Sequence, residues 1–171
     1  MAEPKIGDYV SGGQYVSRAV HARIEDSNQW IASAVWAAVP STNAVAFHIK
    51  TGANKNAHGV IRISSAAKVT YYIYENPTLT NDGAALANVC QNRQTTAIPD
   101  TACLTSPVIT ANGTLLESGM FGTAGKFTAT GEQMENGGYF LLKKSESYLV
   151  IVVNDDAGAQ DLALAYMWHE E

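Results

Sequence analysis

One stretch limits what this chain can fold into more than any other, residues 58–83, HGVIRISSAAKVTYYIYENPTLTNDG. It reads as two β-strands joined by a tight polar turn and followed by a turn-rich loop. Val60, Ile61 and Ile63 are strand formers around Arg62, Ser64-Ser65-Ala66-Ala67 interrupts them, and residues 68–75 are almost wholly β-branched or aromatic. Such side chains suit a pleated, half-buried surface. Successive strand residues face opposite sides, so Val69, Tyr71 and Ile73 form one row and Lys68, Thr70, Tyr72 and Tyr74 the other. The first row is largely aliphatic and fits a core. The second carries phenols and polar groups and fits solvent or a partner. Asn76-Pro77 ends the strand, because proline has no N–H to give to a ladder.

From residue 43 onward the chain is a succession of such runs. Residues 44–51 alternate Val45, Phe47 and Ile49 against Ala46, His48 and Lys50. Residues 139–143 and 147–154 flank a hairpin turn at Lys144-Ser145-Glu146. Residues 161–168 alternate Leu162, Leu164, Tyr166 and Trp168 against Ala163, Ala165 and Met167. Weaker strands are expected over 84–93 and, interrupted by Pro107, over 102–110, with Asn81-Asp82-Gly83 and Asn112-Gly113 as turns. The glycine-rich residues 118–136 read as a long loop. About eight strands with turn signals between them predict an all-β, antiparallel β-sandwich of the jelly-roll type. An immunoglobulin-like sandwich has a comparable strand count, although the buried disulfide and tryptophan of antibody domains are missing.

Residues 1–40 differ from the rest. Gly7, Gly12 and Gly13 punctuate the first part. Trp30, Ile31, Val35, Trp36 and Val39 then fall near helical spacing, while Ser33, Val35 and Ala37 also alternate. A short helix over 28–38 and a strand in an extended arm both fit this pattern. Leaving a large apolar side chain in water forgoes roughly 1.5–3 kcal/mol, so the two tryptophans must pack on their own domain or on a neighbouring subunit. We expect 1–40 to be an extended N-terminal arm and 41–171 the sandwich. The expected interface residues are Trp30, Ile31, Val35 and Trp36 on the arm and Tyr72 and Tyr74 on the outward strand row.

Composition narrows the partners. Charged residues make up 16% of the 171, below the usual share of about a quarter, so much of the surface is expected to meet other protein. The net charge is −5 and no basic run is present, which argues against nucleic acid. No apolar stretch approaches the roughly 18 residues of a membrane span. The first residues lack the apolar core of a secretion signal, so synthesis in the cytoplasm is expected. Cys90 and Cys103 have no metal-ligand spacing and read as two reduced thiols.

The residues that carry chemistry form no recognisable set. His21, His48, His58 and His169 make no HxxxH or HExxH pair. His48 reads as a satisfied or half-exposed strand residue and His58 as a loop cap. A nucleophile elbow and a phosphate-cradling glycine loop are both missing. Glu75, Asp82, Glu117, Glu132, Glu135, Asp155, Asp156 and Asp161 are ordinary strand-end acids unless two of them face each other across a cleft. The loop 154–158 reads as a polar turn rather than a calcium site. The expectation is a protein that is not an enzyme, with no catalytic residues, metal or cofactor.

Several short motifs nevertheless follow one another in a recognisable order. They are TGANKNAH at 51–58, YENPTLTNDG at 74–83, Asn92-Arg93, PVITANGT at 107–114, Gly137-Gly138, LLK at 141–143, SYLV at 147–150 and WHE at 168–170. In this order they resemble a group of small jelly-roll proteins that decorate, or cement, the capsids of tailed bacteriophages. The resemblance covers residues 43–171. It implies a structural virion protein on the capsid surface, whose partners are the major capsid protein and further copies of itself in a trimer, with a terminal arm reaching a neighbour or the shell. The alternative is a carbohydrate- or receptor-binding β-sandwich module of a phage tail or fibre, with Tyr71, Tyr72, Tyr74 and Tyr139 as stacking platforms.

Overall fold

The computed structural model describes residues 24–26, 28–122 and 140–171. Within them run thirteen strands: β1 (Gln29–Val39), β2 (Ala44–Lys50), β3 (Ala57–Ser65), β4 (Val69–Glu75), β5 (Thr78–Asn81), β6 (Ala84–Ala85), β7 (Val89–Cys90), β8 (Ala102–Thr105), β9 (Val108–Ala111), β10 (Thr114–Phe121), β11 (Phe140–Leu142), β12 (Ser147–Asn154) and β13 (Gln160–Glu170). One antiparallel sheet has the order β11-β3-β13-β1-β7, a second β10-β4-β12-β2-β8-β6, and β5 pairs with β9 alone. The two large sheets pack together as a β-sandwich around a shared core. The expected strand count of about eight is corrected upward. The weak strands expected over 84–93 and 102–110 are each split into two short strands, β6 and β7, and β8 and β9, and β1, β5 and β10 are further strands.

The core is filled from both sheets by the alternating rows. Ile61, Ile63, Leu162, Leu164, Tyr166 and Trp168 enter from the five-stranded sheet and Phe47, Ile49, Val69, Tyr71, Ile73 and Val150 from the other. Trp30 stands opposite Trp168 across β1 and β13, and Trp168 stands opposite Gly59 across β13 and β3. Two indoles and a residue without a side chain thus share one row. A Cβ on Gly59 would lie 2.3 Å from the Tyr166 ring, which itself stacks on Trp168 with centroids 5.0 Å apart.

Residues 29–39 correct the expected arm. They form a strand, not a helix, and β1 lies inside the five-stranded sheet between β13 and β7. Trp30, Ala32 and Ala34 point into the core, and β1 is laddered to β13 along nine register pairs and to β7 at Trp30 and Ile31. The sandwich therefore begins before residue 30, and residues 1–23 lie outside the described residues. Part of the expected loop 118–136 is also strand, because β10 runs on to Phe121. Residues 123–139 lie outside the described residues.

Buried amides close one end of the sandwich. Asn154 donates from Nδ2 to the Val39 and Gly158 carbonyls and accepts at Oδ1 from Asp156 N and Gln160 Nε2. Gln160 accepts from Ser65 Oγ and Ala67 N and donates to the Lys68 carbonyl. Each side chain thus meets its full hydrogen-bonding capacity inside the protein. The turn 154–158, the end of β1 and the β3–β4 turn are tied at one point.

The β4–β6 and β8–β10 segments form one continuous ribbon with two bends. β4 pairs with β10, β5 with β9 and β6 with β8. The first bend sets Asn76-Pro77 against Asn112-Gly113. Gly113 has φ +91°, and a Cβ there would lie 2.2 Å from the Glu75 carbonyl oxygen, so only glycine fits. The Asn112-Gly113 motif, read as a turn, lies at a bend in this ribbon. The ribbon leaves the six-stranded sheet at β4 and rejoins it at β8, on the far side of β12 and β2.

Candidate interaction surfaces

The bent ribbon changes the outer face of the six-stranded sheet. His48 and Leu149 are neighbours in register and point away from the core side of that sheet. Yet they are 1% and 0% exposed. The ribbon reaches His48 through the Asp82 carbonyl, 3.1 Å from Nδ1, and Asp82 Oδ2 accepts from Lys50 Nζ at 2.5 Å. That contact with Lys50 holds the Asp82 carboxyl below the usual carboxylate range. Beyond the ribbon the same face stays partly open. Tyr72 and Tyr74 stack there with centroids 6.1 Å apart, next to Ile151, and Met120 and Leu115 stand exposed on the edge strand β10.

The outer face of the five-stranded sheet has no such cover among the described residues. Its rows are Val35–Ala163–Ser64, Ser33–Ala165–Arg62 and Ile31–Met167–Val60. Outward positions of a solvated sheet are ordinarily polar, but here six of these nine are apolar. Val35 is 73% exposed. A shallow depression of about 140 Å³ opens among Ser33, Val35, Arg62, Ser64, Ala163 and Ala165.

The six residues expected at an interface are therefore not brought together. Ile31 and Val35 lie on the outer face of one sheet and Tyr72 and Tyr74 on the outer face of the other. Trp36 is half-buried against the core. Trp30 is corrected: at 2% exposure it is a core residue, because its position on β1 is in phase with Ala32 and Ala34. The apolar outward positions of β13, Ala163, Ala165 and Met167, add a surface that is not among the expected interface residues. Their signal was present in the unbroken apolar run 162–168.

The acidic candidates are engaged within the fold. Glu75 accepts from Lys143 Nζ at 2.8 Å and from Tyr148 OH at 3.1 Å, and the lysine contact holds its carboxyl below the usual range. Glu117 accepts from Tyr71 OH at 2.8 Å. Burial first, and then that carboxylate, push the Tyr71 phenol up to about 12. Asp155 accepts from Thr70 Oγ1, and Asp161 from the Ala38 N–H. Glu132 and Glu135 lie outside the described residues. A further acid, Glu170, is buried and accepts from Asp100 N, Thr101 N and Trp168 Nε1. His58, expected to cap a loop, lies within β3, and its ring stacks on His169. Cys90 and Cys103 are buried cysteines on different sheets.

Comparisons with protein-family models, curated proteins and solved structures returned no significant match.

Proposed function

We propose that this chain is a structural virion protein: a jelly-roll decoration, or cement, protein that docks on the outside of a bacteriophage capsid and stabilises it. The observation that carries a docking role is the apolar outer face of the five-stranded sheet, from Ile31 and Val35 through Ala163, Ala165 and Met167 to Val60. A sheet face of this kind gains by being covered, and a charge-poor surface has little to desolvate when it is. The capsid as partner rests on the order of motifs between residues 51 and 170. A clamp of this kind stabilises the assembled shell by binding it in preference to its dissociated subunits. Its partners are the major capsid protein and two further copies of itself in a trimer.

The strand pairing supports the jelly-roll reading. β1 pairs with β13, β2 with β12, β3 with β11 and β4 with β10. The chain also changes sheet at each step from β1 to β4 and again from β10 to β13. This is one long antiparallel ribbon wound so that its pairs are shared between two sheets, as in a jelly roll.

Immunogold labelling and mass spectrometry of intact particles test the proposal. Label over the head, at a density of many copies, is the expected result, and protein missing from the particles overturns it. The stacked pair Tyr72–Tyr74 is the observation that favours the second reading, a glycan- or receptor-binding module of a tail or fibre. Label confined to the tail, with glycan-array binding lost in Tyr74→Ala, would replace the first reading by the second.

A further inference from the structure

We propose that His58, His169 and Glu171 form a binding site for one divalent transition-metal ion of the zinc class. The three residues meet at the end of the five-stranded sheet where β3 and β13 run side by side. His58 and His169 are directly opposite in register. Asn56 and Glu171 exchange both backbone hydrogen bonds, at 2.8 and 3.2 Å, and so carry the ladder beyond the strand ends. Residues two apart share a strand face, so Glu171 projects on the same side as both rings. Its Oε1 lies 2.8 Å from His58 Nε2. One ligand atom from each residue lies within 4.8 Å of the other two.

The donor set selects the ion. Two imidazoles and one carboxylate suit zinc and its neighbours, whereas magnesium and calcium call for a shell of oxygens. Bonds of about 2.0–2.2 Å around a tetrahedral ion place donors roughly 3.3 Å apart, so His58 Nε2 and Glu171 Oε1, now 2.8 Å apart, must open slightly, while any pair near the 4.8 Å limit must close by about 1.5 Å. The rings now stack with centroids 4.6 Å apart and planes 20° from parallel. An ion lies in the plane of each imidazole that binds it, so one ring must turn out of the stack as the ion enters. The ion takes the place of the proton between His58 Nε2 and Glu171 Oε1, and a neutral His58 then carries its ring proton on Nδ1.

Burial is graded across the cluster. His169 is buried, the His58 side chain is 26% exposed and that of Glu171 is 61% exposed. The site thus has a closed floor and an open mouth, which leaves a fourth position for water or for a donor from another molecule. The backbone ladder, rather than a loop, sets the spacing of the ligands, so little chain ordering accompanies binding. This inference does not rest on the capsid role.

The test uses the full chain, free of affinity tags and treated with a chelator, titrated with Zn²⁺. Calorimetry and the imidazole proton signals of His58 and His169 are followed together. The expected result is one ion per chain, with both histidine signals shifting as the stack opens, and no response to Mg²⁺. His58→Ala and Glu171→Ala, at side chains with solvent access, should each weaken binding by at least about tenfold, since changes one shell further out already cost that much. Histidine signals that stay in place under excess Zn²⁺ would overturn the site, as would unchanged affinity in both variants.

Discussion

His48 shows how one residue can be moved from surface to interior by a segment far away in sequence. The period-two row places it outward with Ala46 and Lys50, which is how it reads from sequence. The ribbon that carries Asp82 then covers it, and Nδ1 is matched by the Asp82 carbonyl while Nε2 is buried with no hydrogen-bond partner. Burial lowers the His48 pKa below its ordinary 6.5, against the opposing hydrogen bond to Asp82. Above that value the ring is neutral folded or unfolded and contributes no pH dependence. As pH falls through it, the unfolded chain takes up a proton that the native one refuses, so stability declines toward acid. His48→Asn keeps a donor for the Asp82 carbonyl and removes the titration. Urea midpoints should then fall less steeply than wild type between about pH 7 and pH 5, and an unchanged slope would assign the effect elsewhere. Gly59 is a second residue whose role could not be read in advance, since a glycine inside a strand pattern signals only weakness. Its missing side chain makes room for Tyr166. Gly59→Ala should therefore destabilise by about 1–3 kcal/mol, the usual cost of overpacking a core, seen as a lower thermal midpoint.

At the scale of elements, the strands legible from sequence are those with runs of β-branched, aliphatic or aromatic residues: β2, β3, β4, β12 and β13. β1 was ambiguous because Trp30 and Trp36, six positions apart, share a strand face while neighbouring apolar residues mimic a helical stripe. The second half of β10, residues 118–121, falls within the glycine-rich stretch that reads as loop, and Gly119 is one of its glycines. That glycine lies under the Tyr71 ring, where a Cβ would come 2.5 Å from the phenol oxygen. It is a packing residue within a strand. The short strands β6 to β9 are legible only as two weak runs, and the four-residue β5 shows no row. The interface residues were only partly legible, because an outward apolar side chain and a core side chain look alike until the phase of the strand is known. The position of β1 has a direct consequence for truncation. Removing residues 1–40 takes away Trp30 and strips β13 of one neighbour along nine register pairs. The truncated chain should lose its cooperative thermal transition, whereas removing residues 1–23 should leave one. A cooperative transition in the 1–40 deletion would mean that β1 is dispensable to the sandwich.

For the whole molecule, the pairings β1/β13, β2/β12, β3/β11, β4/β10, β5/β9 and β6/β8 make the chain one antiparallel ribbon folded back on itself near β7. None of the long ladders between its two halves joins strands close in sequence, so little of the sandwich can form before distant segments meet. Such topologies fold slowly and their native contacts depend on one another. The two cysteines report on that dependence. Cys90 sits at the turning point of the ribbon, next to β1 in the five-stranded sheet. Cys103 lies on β8 in the other sheet, where burial, then the Glu170 charge, push its thiol far above its ordinary pKa. Only the thiolate is nucleophilic, so neither group reacts quickly while covered. If the ribbon opens as a unit, a thiol reagent should modify both cysteines in one kinetic phase, and urea should raise the rate of both with a common, global slope. A fast phase assigned to Cys90 by peptide mapping, with a shallow urea dependence, would show instead that the ribbon tip opens by itself. β7 would then be a separate, weaker unit of the sandwich, since among the described residues its two residues hold one ladder, to Trp30 and Ile31.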